Sequence, residues 1–168
     1  MKENAELEII EYSDTYKEHF KRLNYEWIEK YFVVLQSDEY VLSNPMESII
    51  DKGGFIYFAK LDNEIVGTFA MLKVDKYTYE IAKMAVTEKY QNLGIGKTLM
   101  EYAIKKAKDM RLERLILYSN TDLKVAISMY SNFGFQAIPK TDFHNDRANI
   151  KMEMILNKAR TANRVDGW

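Results

Sequence analysis

Met84-Ala85-Val86-Thr87-Glu88-Lys89-Tyr90-Gln91-Asn92-Leu93-Gly94-Ile95-Gly96-Lys97-Thr98-Leu99 runs from a β-rich segment through a short polar link into a glycine turn that opens directly into a helix. Glycines let a backbone approach an anion closely. The first turn of a helix adds unpaired N–H groups and the positive end of the dipole. The pattern therefore points to a phosphate cradle built on the backbone from Gln91 to Gly96, with Lys97 and Thr98 able to add a charge and a hydroxyl. Lysine at a helix start is otherwise unfavourable by a few tenths of a kcal/mol. Its placement fits either a nearby anion or a solvated side chain.

Two phosphate motifs compete for these residues. The nucleotide loop G-x-x-x-x-G-K-[ST] matches at Gly96-Lys97-Thr98 but needs a glycine where Gln91 stands. It also works with an acidic metal ligand at the end of a second strand, and the apolar strand Leu115-Ile116-Leu117-Tyr118 ends in Ser119-Asn120. The alternative is Q-x-x-G-x-G, at Gln91, Gly94 and Gly96.

The flanks favour the second motif. Tyr79-Glu80-Ile81-Ala82-Lys83-Met84-Ala85-Val86 precedes the turn, Leu115 to Asn120 follows its helix, and Ala126-Ile127-Ser128-Met129-Tyr130-Ser131-Asn132-Phe133-Gly134-Phe135 comes next. Together with Gln91, Gly94 and Gly96 these segments resemble the GNAT superfamily of N-acetyltransferases, the last through its A-x-x-x-Y-x-x-x-G-F signature. The resemblance runs from about Leu7 to Leu156. Leu23 to Ile28 and Glu80 to Val86 further resemble a bacterial subgroup of unassigned substrate.

This resemblance implies an α/β (α+β) fold with a mixed central sheet of six to seven strands and about four flanking helices. It implies acetyl-CoA as cosubstrate, a small-molecule or peptide amine as acceptor, and direct attack in a ternary complex. The turn from Gln91 through Asn92, Leu93, Gly94, Ile95, Gly96, Lys97 and Thr98 would wrap the pyrophosphate. Met84, Ala85 and Val86 would run beside the pantetheine arm where the central strand splays from its neighbour, with the Val86 N–H as oxyanion donor. Glu80 is the general-base candidate and Tyr130 the proton donor to the leaving thiolate. Without the resemblance, Glu80 reads as solvent-facing strand charge and Tyr130 as packing beside Ala126 and Phe133. Asn120 fits two roles, hydrogen bonding to cofactor amides or capping the segment from Asp122. Homodimers are common in the superfamily. Two other readings stay open: a non-catalytic acyl-CoA-binding or sensing module on the same fold, and a phosphate-loop nucleotide hydrolase.

Composition narrows the field further. The 168 residues suit one domain with a sizeable core, expected over 1–156 with a polar tail over 157–168. Hydrophobic residues make up 47% and argue for a packed globule. Lys and Arg total 24 against 25 Asp and Glu, so no basic field recruits nucleic acid or anionic lipid. With no cysteine there is no disulfide, thiolate metal site or acyl-cysteine intermediate. His19 and His144 are too far apart in sequence for a metal pattern, and no metal is assigned. The charged N-terminus leads into no apolar stretch, and no run approaches the roughly 18 residues of a membrane span, so a cytoplasmic protein is expected.

Along the chain, Leu7 to Tyr12 reads as a strand and Ser13 or Asp14 as the cap of a helix from Thr15 to Phe32. Phe20, Leu23, Trp27 and Tyr31 give that helix an aromatic face, read as core. Asn44-Pro45-Met46-Glu47 carries a cap, a first-turn proline and a capping-box glutamate, with Gly53 as the stop of a second helix. By resemblance, the connection Gln36 to Ser43 is where acceptor choice is made. Asp38, Glu39 and Asp51 fit either a cationic acceptor such as a polyamine or ordinary surface charge. Gly54 to Lys60 and Glu64 to Leu72 read as a hairpin around Leu61-Asp62-Asn63, and Tyr77 to Val86 as a third strand. Leu99, Ala103, Ile104, Ala107 and Met110 mark the inner face of the helix after the glycine turn. Then come strand Leu115 to Ser119, helix Asp122 to Phe133, strand Phe135 to Ile138, a polar loop Pro139 to Arg147 and strand Asn149 to Leu156. The tail has no period, although Trp168 could dock on a partner subunit.

Overall fold

The computed structural model describes residues 6–141 and 147–157. His144 and most of the tail, Trp168 included, lie outside them. The strands are β1 (Leu7–Glu11), β2 (Phe55–Leu61), β3 (Glu64–Lys73), β4 (Thr78–Val86), β5 (Arg114–Ser119), β6 (Gln136–Ile138) and β7 (Ile150–Ile155). The helices are α1 (Lys17–Tyr31), α2 (Gln36–Ser43), α3 (Ile95–Asp109) and α4 (Lys124–Phe133). The seven strands form one mixed sheet in the order β1-β2-β3-β4-β5-β7-β6, with β4 and β5 parallel. The chain divides into two compact units, each drawn from two stretches: residues up to Leu72 with Ala82–Ala103, and Lys73–Ile81 with the chain from Ile104 onward. β4 contributes to both.

In the first unit β1 pairs antiparallel with β2, and β2 with β3. Asp62 and Asn63 both take positive φ, 48° and 68°, the geometry of a two-residue hairpin turn whose twist matches the strands it joins. Phe20, Leu23 and Ile28 of α1 and Leu42 of α2 pack with Ile56, Phe58, Ile65, Ala70 and Ala85 of the strands. The expected aromatic face of α1 holds for Phe20, Leu23 and Trp27 and fails only at Tyr31. Trp27 is partly buried against the same cluster, its ring tilted to those of Tyr31 and Phe32, while Tyr31 is 46% exposed and Asn24 and Ile28 join the inward positions.

Gln36 to Ser43 is a helix and not the connection expected there. The signal lay in Asp38, which is buried and accepts the Leu35 N–H at 2.8 Å, closing the helix start. That position also removes Asp38 from the exposed acids that would greet a cationic acceptor. Asn44 joins two helices: its side-chain amide donates back to the Tyr40 carbonyl at 2.9 Å, ending α2, and its own carbonyl accepts the Ser48 N–H at 2.9 Å, opening the next. After Pro45 the chain makes a single π-helical turn, Met46–Ile50, with the Asp51 N–H on the Met46 carbonyl, before Gly53 ends it.

The second unit holds β5 paired with β7, and β7 with β6, all antiparallel. Leu115, Ile116 and Leu117 are buried, as are Met152 and Met154 opposite them. Gly134 takes φ 104° and ends α4; its own N–H reaches Ser131 and the Phe135 N–H reaches Tyr130. Among the described residues no helix is long and apolar enough to cross a membrane.

Candidate active site

The end of β4 and the turn into α3 form a corner held by side chains. Gln91 donates its amide to the Val86 carbonyl at 3.0 Å, tying the first residue of the glycine motif to the last residue of the strand. Glu26 of α1 accepts the Thr87 hydroxyl at 3.0 Å and the Glu88 N–H at 2.8 Å. Lys30 meets Glu88 at 3.2 Å, and this carboxylate holds the ammonium above the usual lysine range. The Tyr90 hydroxyl donates to Glu64 at 2.7 Å, and the Thr87 N–H bonds the Val66 carbonyl. A single 3-10 turn, Glu88–Tyr90, fills the polar link.

Past Gln91 the backbone turns outward. Asn92 and Gly94 have φ of 62° and 80°, and a Cβ built on Gly94 would meet nothing within 4 Å. Among the described residues, the N–H groups from Asn92 to Lys97 donate to no protein acceptor. Ile95, Gly96 and Lys97 are the first turn of α3, whose N–H groups a helix cannot itself satisfy. Thr98 is the first residue bonded back, through both its N–H and its hydroxyl, to the Gly94 carbonyl. The turn thus presents a run of donors at the positive end of a 15-residue helix. Leu93 is 66% exposed and Lys97 is exposed.

On β4, the parallel register with β5 runs from Thr78↔Arg114 to Glu80↔Ile116. Glu80 is buried, so the solvent-facing reading of a strand glutamate does not apply. Three residues later Lys83 takes φ 56°, a left-handed conformation inside a strand, just ahead of Met84, Ala85 and Val86. Neither glycine nor asparagine announced it.

Asn120 closes the turn after β5. Its side-chain oxygen accepts the Asp122 N–H at 2.9 Å, and its amide donates to the Arg147 carbonyl at 2.9 Å. It organises the turn ahead of α4 without capping it, since Leu123 is the residue before the helix. One amide hydrogen and one oxygen lone pair remain for a ligand. Tyr130 packs edge-on to Phe135, with centroids 6.2 Å apart. Burial pushes its phenol up to about 12, so it holds its proton at neutral pH. His19 shares its Nδ1 with Arg22 at 3.1 Å; burial and the guanidinium keep it below the usual histidine range. Among the described residues no group of three or more His, Asp or Glu is arranged to hold a metal.

Residues 5–135 match the family model described as acetyltransferase (GNAT) family, and the chain belongs to that family. An uncharacterized N-acetyltransferase of Bacillus subtilis, YvbK, is 31% identical over 102 residues, which span 59% of this chain and 66% of that protein. A mycothiol acetyltransferase of Paenarthrobacter aurescens is 30% identical over 53% of this chain and 29% of its own length. The chain thus covers just under two thirds of the first relative and under a third of the second. A GNAT acetyltransferase structure from Staphylococcus aureus superposes with a TM-score of 0.81 at 26% identity, covering 90% of this chain and 100% of that one. The PaiA N-acetyltransferase of Thermoplasma acidophilum, solved with coenzyme A, shares the fold at a TM-score of 0.70 and 20% identity over 89% of this chain and 99% of its own.

Sequence reasoning did not find Glu26. Its one trace was an acid four residues before Lys30 on a helix otherwise read for its aromatics. Asn149, which accepts the Thr121 N–H and donates to the Thr121 hydroxyl, left no trace either.

Proposed function

We propose that this chain is an acetyl-CoA-dependent N-acetyltransferase in which a primary amine attacks the thioester directly within a ternary complex. The observation that carries the reading is the run of free N–H groups from Asn92 to Lys97 at the start of α3, with open space in front of Gly94. Such a run suits a pyrophosphate and wastes donors otherwise. Met84, Ala85 and Val86 then receive the pantetheine arm, and Asn120 offers its remaining amide hydrogen to it.

Glu80 takes a proton from the acceptor ammonium, leaving a lone pair that attacks the thioester carbonyl carbon. The carbonyl oxygen gains charge as the C–N bond forms, and the Val86 N–H offsets it. As the C–S bond breaks, the adduct nitrogen sheds its second proton to solvent, Tyr130 gives its own proton to the thiolate and recovers one from solvent, and Glu80 returns the first proton to solvent. One proton is released to solvent per turnover. A small-molecule or peptide amine as acceptor, and action in the cytoplasm where acyl-CoA thioesters circulate, belong to the same proposal.

Calorimetric titration with acetyl-CoA, with magnesium-ATP as the comparison ligand, tests the reading. Saturable acetyl-CoA binding without ATP binding is expected. Loss of both, or ATP binding alone, removes it. Binding with no transfer to any amine in a broad panel would make the chain an acyl-CoA-binding module.

A further inference from the structure

α1 is anchored in its core by Phe20, Leu23 and Ile28, so it needs no polar tether to stay in place. Yet Glu26, one turn from Arg22 and one from Lys30, spends its hydrogen bonds on two neighbouring residues of another segment. Its two oxygens lie 3.0 and 3.1 Å from the Thr87 hydroxyl, and one lies 2.8 Å from the Glu88 N–H. These residues directly follow Val86 and open the 3-10 turn that leads to Gln91. A carboxylate at the N-terminus of that turn is placed where the turn's own first amides lack acceptors. Arg22 holds the other end of the arrangement, donating to the Ile65 carbonyl at 3.1 Å and lying 3.9 Å from Glu26.

We propose that Glu26 is a positioning residue for the cosubstrate: by fixing Thr87 and Glu88 it sets the angle between the end of β4 and the glycine turn. The inference rests on the functional reading above. With the corner fixed, the Val86 N–H and the amides from Asn92 to Lys97 hold a constant spacing. That spacing must match the fixed distance between thioester and pyrophosphate. The neighbouring Lys30–Glu88 pair cannot substitute, since both side chains are substantially exposed, at 40% and 70%, and such pairs contribute little. The same tether makes α1 and the cosubstrate turn move together.

The experiment compares wild type with Glu26→Ala, Glu26→Gln, Thr87→Val and Lys30→Ala. Two quantities are read: acetyl-CoA affinity by calorimetry, and amide hydrogen exchange at Glu88 to Gln91 without ligand. Glu26→Ala should weaken acetyl-CoA roughly tenfold and speed Glu88 exchange by a similar factor. Glu26→Gln keeps an oxygen acceptor and should recover most of both. Thr87→Val, which leaves α1 untouched, should weaken binding by about threefold, and Lys30→Ala should match wild type. A folded Glu26→Ala protein with wild-type affinity overturns the proposal. So does faster exchange with no change in affinity, which would leave Glu26 a purely structural tether. If Glu26→Ala does not fold, Thr87→Val decides: wild-type affinity there overturns it. Failure of wild type itself to bind acetyl-CoA would instead remove the functional reading, and this inference with it.

Discussion

In the corner between β4 and α3 six consecutive backbone N–H groups, Asn92 to Lys97, have no acceptor among the described residues, whereas in the corner between β5 and α4 the turn residues Thr121, Asp122 and Leu123 have theirs taken up internally and the open amides are those of the first helical turn, Lys124 to Ala126. There the Thr121 N–H goes to the Asn149 side chain, the Asp122 N–H to the Asn120 side chain and the Leu123 N–H to the Asn120 carbonyl. Both corners are strand, turn and helix. What differs is the turn residue. Asparagine carries an amide that mimics the backbone and occupies the donors of its own turn. Glycine has nothing to offer them, and at Gly94 it also permits a φ of 80° that turns the chain outward. In one corner the side chains close the turn up to the helix, and in the other the open amides run through the turn into the helix.

The largest expected effect lies with the helix that leaves the closed corner. Tyr130→Phe should slow thiol release with an accepted amine about 10²-fold while acetyl-CoA affinity stays within a small factor. An unchanged rate would return Tyr130 to packing against Phe135, and that helix would have no chemical part. Next, Gly94→Val should weaken acetyl-CoA about tenfold or more by calorimetry, since a β-branched residue resists positive φ and its methyls would stand before the free amides. Wild-type affinity would mean that the open corner is not the one used.

Asn120→Ala supplies the counterpart. It should lower unfolding free energy by about 2 kcal/mol in urea titrations, because it strips two internal hydrogen bonds and leaves the Arg147 carbonyl short of a donor. Its effect on acetyl-CoA affinity should stay below that of Gly94→Val. A larger effect would mean that the remaining amide hydrogen of Asn120 carries cosubstrate binding, and the contrast between the corners would soften.

The smallest effect is one of alkaline stability. Tyr130 ionises at about 12 in the folded chain against an ordinary 10, with burial as the cause. A raised value means that the stabilisation is complete below pH 10 and disappears as pH climbs toward 12. By pH 11 about 1 kcal/mol should be gone, and Tyr130→Phe should remove that part of the slope between pH 9 and 11. An identical slope in the variant would show that the phenol is better solvated than its surroundings suggest.

Much of this was legible along the chain. The hairpin at Asp62-Asn63, the glycine turn into α3, the strands on either side and the Gly134 stop all rest on local chemistry, where a residue's own φ preference or side-chain period decides the outcome. Misreadings came where two local signals shared residues. Asn44 and Pro45 read as the start of a helix and are one, but Asn44 is at the same time the end of α2, a helix whose own start is closed by Asp38 and was not foreseen. At α1 only the last member of the aromatic stripe, Tyr31, lies outward, while Asn24 and Ile28 join the buried face.

By itself the sequence determined that a glycine turn leads from a strand into a helix, that the family is GNAT, and which residue types are available for the chemistry. Only the tertiary structure decided that Glu80 is buried, that Lys83 takes a left-handed φ within its strand, that Asn120 spends one amide hydrogen and one lone pair internally and that Glu26 reaches Thr87 across 61 positions. The reason is physical. Backbone conformation follows from neighbours a few residues away. Burial and hydrogen-bond partners depend on which distant segments the packed core brings within 3 Å, and no local pattern encodes that distance.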